Sequence, residues 1–98
     1  MLPLFVALAV ALAAVPAAPA AAPSRHVAKI MARADGATPE TAYKVAGVAD
    51  EYAIVRALGL QARSQSLTIR KKPYDVLTVV DPRDGKVRQL WFDISRFY

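Results

Sequence analysis

The chain is 98 residues long, has no cysteine, and carries 13 basic against 8 acidic side chains for a net charge of +5. That length allows one small hydrophobic core, and the missing cysteines exclude disulfide stapling, thiol chemistry and lipid attachment at a cysteine. A single histidine without cysteine partners also leaves too few ligands for a closely spaced zinc site.

Residues 1–22 contain no charged side chain, whereas all the Lys, Arg, Asp and Glu lie beyond Ser24. The apolar run 2–15, followed by small residues around Pro16 and Pro19, has the order of a secretory signal peptide, and cleavage after Ala20 is expected. As a membrane span the run is interrupted by its prolines, so membrane attachment is expected only through an uncleaved leader. The predicted location is therefore periplasmic or extracellular, and nucleic acid is not an expected partner.

Residues 21–34 are small and basic. Val27, Ile30, Met31 and Ala34 recur at helical spacing, but without a clear cap the segment reads as a flexible linker with nascent helix. A small α+β domain is expected over 35–98. Thr38 and Pro39 have the order of a helix N-cap and first turn, and Tyr43, Lys44 and Val45 alternate like a short strand.

The best helix covers 48–58. Val48, Tyr52 and Val55 form a stripe widened by Ala49, Ile54 and Leu58; Asp50 and Glu51 suit the positive N-terminal end; Gly59 ends the helix. Three strands are predicted at 64–70, 74–81 and 86–94, rich in β-branched and aromatic residues and separated by short breaks that force antiparallel neighbours. The expected fold is thus one helix packed on an antiparallel meander of three to four strands.

Alternation directs Leu67, Ile69, Leu77, Val79, Leu90, Phe92 and Ile94 toward the helix. The opposite face then holds Tyr74, Val76, Val80, Val87 and Trp91, more apolar than a solvated face requires. Trp91, Tyr74 and Val76, with basic neighbours Arg70, Lys72 and Arg88, are the candidate partner surface, since aromatic residues dominate binding hot spots. Asp75 and Asp93 are unusual within strands and are expected to pair with Arg70 or Arg88.

No catalytic, cofactor or metal residue is predicted. His26 lies in the linker without an orienting carboxylate in sequence, and Asp50 and Glu51 point about 100° apart on a helix. Asp81, Asp84 and Gly85 are followed by Lys86 and Arg88 instead of the acids a calcium loop needs, and so read as a hairpin turn.

The segment from Tyr43 to Val48 resembles the Val-x-Gly loop of the cystatin family, which implies a protease inhibitor. Its departures are Tyr43 where the motif opens on glutamine, and a position before the helix instead of after it. Asp35-Gly36-Ala37-Thr38-Pro39-Glu40, Glu51-Tyr52, Gln65-Ser66-Leu67, Tyr74-Asp75-Val76-Leu77-Thr78 and Trp91-Phe92-Asp93-Ile94-Ser95 together resemble a group of small exported bacterial proteins of unknown function. That resemblance implies compartment and domain limits and no activity. The expected function is a non-enzymatic binding or accessory module recognising a protein or an anionic envelope component. The alternative is an inhibitor of a secreted hydrolase presenting a hairpin tip at 70–73 or 82–85.

Overall fold

The computed structural model describes residues 22–98; the expected signal peptide and its cleavage point lie outside the described residues. In chain order the elements are helix α1 (Arg25–Ala32), a 3-10 turn (Pro39–Thr41), strand β1 (Tyr43–Lys44), helix α2 (Val48–Ala57), and strands β2 (Gln61–Ile69), β3 (Pro73–Val80) and β4 (Val87–Asp93). Two helices and a four-stranded sheet in the order β1-β4-β3-β2 make the class α+β.

The sheet is mixed, which corrects the expectation of an all-antiparallel meander and a single helix. β2 with β3 and β3 with β4 are antiparallel, but β1 runs parallel to β4 through Tyr43↔Phe92 and Lys44↔Asp93. The cause is the crossover through α2, which brings β2 back in the same direction as β1. Two hairpin reversals later β4 again runs that way, and β1 pairs with it at the edge.

Residues 25–32 are helix, not linker. The Ser24 hydroxyl accepts the Val27 N–H at 3.2 Å and caps α1. Val27 is buried in the main core, and Ile30, Met31 and Ala34 pack against it, so the helical spacing of these four residues is a core stripe. Burial supplies the stability that local propensity alone does not.

Helix α2 starts and stops as expected, with Leu58 as C-cap and Gly59 at φ +72°, but it is rotated from the predicted stripe. Val48 is 49% exposed, while Glu51, Ile54 and Val55 are buried. The core beneath them is Leu77, Val79, Leu90 and Phe92, with the Tyr43 ring 5.5 Å from that of Phe92. Leu67 and Ile69, also assigned to this face, stand outside the core at 50% and 58% exposure because α2 sits over the inner strands.

The second face of the sheet carries a smaller cluster of Ala42, Tyr74 and Val76, with Trp91 against it. The segment before β1 provides that cover. Gly36, at φ +68° and buried, accepts the Trp91 N–H at 2.7 Å and donates to the Thr41 carbonyl at 2.8 Å. A Cβ at Gly36 would overlap the Tyr43 ring, so this close approach requires glycine.

Candidate functional site

The predicted partner surface does not assemble as one patch. Trp91, Tyr74 and Val76 share a face, but Tyr74 and Val76 are buried beneath Ala42 and are closed to a partner. Trp91 is half-buried, edge-on to Tyr74 at 5.6 Å, with the Arg70 guanidinium 5.4 Å above its ring. Arg88 sits opposite Val79, on the helix side of the sheet, because residues 88, 90 and 92 alternate away from Trp91. Lys72 turns to Asp93, 3.4 Å away.

Lys72 leads to a concavity. A cleft of about 730 Å³ lies between α1 and the β1–β4 edge. α1 contributes His26, Lys29 and Arg33 to its lining, β1 contributes Lys44, and Lys72 and Arg96 line it as well. The lining itself holds two carboxylates, Glu40 and Asp93, and Asp50 reaches His26 from beside it. Local structure explains the clustering: Lys29 and Arg33 are four residues apart on one helical face, and β1 presents Lys44 outward while Tyr43 enters the core.

Asp93 is already neutralised. Burial pushes its carboxyl up, but the Ser95 amide and hydroxyl, together with Lys72, more than offset this and hold it below the usual carboxylate range. The expected partners Arg70 and Arg88 make neither this pairing nor that of Asp75. The cleft therefore presents ammonium and guanidinium groups with little internal compensation, a geometry that attracts anions.

His26 has the carboxylate that sequence order concealed. Its Nε2 lies 3.0 Å from Asp50 Oδ2, and the Ala46 N–H donates to the same oxygen at 2.8 Å. Burial raises the Asp50 carboxyl, yet the Ala46 amide and His26 prevail and leave it lowered. The contact ties α1 to the start of α2. Ser95, which lines the cleft, donates its hydroxyl to Asp93 and not to the imidazole.

A second site was missed by sequence reasoning. Glu51 is fully buried, neither of its oxygens has a donor partner, and the Asp75 carboxyl lies beside it. Burial first, then Asp75, pushes the Glu51 carboxyl up to about 8, so it is protonated at neutral pH. A protonated Glu51 avoids the repulsion that two adjacent carboxylates would suffer, and Gln65 Nε2 donates to Asp75 Oδ1 at 3.3 Å. Position in the first turn of α2 suggested solvent and the helix dipole; what mattered was the pitch that aims residue 51 with Ile54 and Val55 at β3.

Other expectations are relocated. The 82–85 hairpin tip is tied down, since Arg83 pairs with Asp81 at 2.8 Å and donates to the Leu58 carbonyl at 3.3 Å. Val45 of the Val-x-Gly segment is fully buried, so that segment is not a projecting inhibitory loop. Among the described residues no group of three or more His, Asp or Glu could hold a metal ion, and no helix is long and apolar enough to cross a membrane.

Residues 21–98 match the family described as a domain of unknown function, DUF4919. No curated protein and no solved structure matches the chain.

Proposed function

The chain belongs to the DUF4919 family, whose description carries no activity, and we propose from its own geometry that it is an exported, non-enzymatic binding module that takes an anionic envelope component in the α1–β1/β4 cleft. The observation that carries this reading is the convergence of Lys29, Arg33, Lys44, Lys72 and Arg96 on one concave surface whose lining includes two carboxylates, Glu40 and Asp93. A concave wall of one sign raises the local concentration of counter-charged ligands and speeds their capture, more so at low salt. One feature of the hydrogen bonding favours binding: Ser95 donates its hydroxyl to Asp93 and not to the imidazole, so the His26–Asp50 pair has no bonded hydroxyl to activate. Export is supported by the uncharged, proline-terminated start of the chain.

Inorganic polyphosphate serves as the probe. Titration followed by calorimetry is expected to show binding that weakens steeply as salt rises. The combined variant Lys29→Gln, Arg33→Gln, Lys44→Gln should bind about tenfold more weakly or worse, equivalent to about 1.4 kcal/mol, while melting like the parent, because all three side chains are exposed. Equal affinity of variant and parent overturns the assignment of the cleft.

A further inference from the structure

The sheet has two unequal edges. β1 is two residues long and lies beside α1, whereas β2 runs nine residues and pairs with β3 from Gln61↔Val80 to Ile69↔Pro73 on one side only. Among the described residues no strand pairs with the other side of β2. Its outward N–H and C=O groups form a ready template for one more strand.

Exposed edges are normally blunted by charge, proline, shortness or a bulge. β2 has its irregularity between Ala62 and Ser64, at its start, and its one charge, Arg63, lies there too. Residues 64–69 are long enough to pair, contain no charge and no proline, and are not covered by α2. Leu67 and Ile69, about half exposed, mark a shelf beside the core where alternate side chains of an added strand would rest.

Charge selects the occupant. Arg63 stands at one end of this stretch and Arg70 and Lys71 at the other. A symmetric antiparallel pair of copies centred on Leu67 would set Arg63 of one copy against Lys71 of the other, and in any register two copies of net charge +5 repel, so charge opposes self-pairing. We propose that the outer edge of β2 docks an extended segment of another protein, apolar at alternate positions and acidic at its ends, by adding it to the sheet as a fifth strand. Main-chain hydrogen bonds supply the affinity, and the Leu67–Ile69 shelf with its basic flanks supplies the selection. This surface is separate from the anionic cleft and does not depend on it.

The test uses the full chain and a fluorescein-labelled peptide of alternating valine and threonine, with two glutamates at each end. Anisotropy should show saturable binding at least about tenfold tighter than for the lysine-ended version. Leu67→Lys with Ile69→Lys, both at exposed positions, should weaken binding by at least about tenfold with an unchanged melting temperature. The cleft variant Lys29→Gln, Arg33→Gln, Lys44→Gln should bind the peptide like the parent, and hydrogen exchange should slow across 61–69 when the peptide is added. Absence of binding up to about 1 mM overturns the proposal. So does equal binding of the lysine-ended peptide, loss in the cleft variant, or sedimentation showing a dimer that Leu67→Lys with Ile69→Lys dissolves.

Discussion

Asp75 on β3 and Asp93 on β4 are neighbours in the sheet, one paired with Phe92 and the other with Tyr74, yet they face opposite sides and meet different partners. Asp75 looks into the main core, where no lysine or arginine is bonded to it; its neighbours are the buried Glu51 carboxyl and the Gln65 amide. Asp93 looks toward the cleft, where Lys72 and the Ser95 hydroxyl and amide hold it ionised. A buried carboxyl is tolerated either by keeping its proton, as Glu51 does beside Asp75, or by polar and cationic partners, as Asp93 does, and the two solutions respond to pH with opposite sign. The core side trades in protons and the cleft side in charges.

The largest expected effect separates the two faces by packing. Leu77 is fully buried beside Asp75, beneath α2, so Leu77→Ala should lower stability by about 2–5 kcal/mol, enough to threaten so small a domain. Thermal melting followed by circular dichroism measures this, and an unchanged midpoint would mean that the helix-covered face is not the one that holds the fold.

How much of this could be read from the chain depends on the range of the interaction. Helix α2 was legible because Gly59 and the flanking pattern are local, and the three long strands were legible because alternation is local. The pairing of β1 was not. Tyr43 and Lys44 alternate like a strand, but their partners Phe92 and Asp93 lie at the far end of the chain, and direction was decided by the α2 crossover. The role of α1 was hidden differently: its stripe was visible, but only the fold supplies the core that Val27 enters. Glu51 shows the limit of charge as a guide, since a carboxyl that keeps its proton behaves as a polar core residue. The cleft was half legible: Lys72 was singled out, whereas Lys29, Arg33, Lys44 and Arg96 needed α1 and β1 in place to converge. The four-residue spacing of Lys29 and Arg33 was the available signal.

A second, smaller effect sharpens the contrast on the core side. The Glu51 carboxyl is raised from 4.5 to about 8, so the folded protein retains a proton that the unfolded chain releases. Its contribution is fully present below pH 4.5, diminishes as pH rises, and is gone above about 8. The slope for one proton is at most about 1.4 kcal/mol per pH unit. Glu51→Gln keeps a neutral hydrogen-bonding side chain and removes the titration. Melting temperatures measured at pH 5 and pH 8 should therefore fall between the two in the parent and stay level in Glu51→Gln. Parallel declines in both proteins would show that Glu51 does not hold the proton.

The smallest effect lies on the cleft side. Lys72 is half exposed, so its pairing with Asp93 is screened and Lys72→Gln should lower stability near neutral pH by no more than about 1 kcal/mol. The informative change is in acid. Because Asp93 is lowered from 3.8, its contribution is present above that value and lost as pH falls through the folded value, the mirror image of Glu51. Removing Lys72 lets burial raise the Asp93 carboxyl with only Ser95 opposing it, so the acid limb of the stability curve should move to higher pH while the alkaline limb set by Glu51 stays in place. Denaturant midpoints collected from pH 2 to pH 9 would show this as a shift on one side only. If both limbs move together in Lys72→Gln, the two carboxylates are coupled through the sheet, and the separation between a proton-holding core and a charge-holding cleft fails.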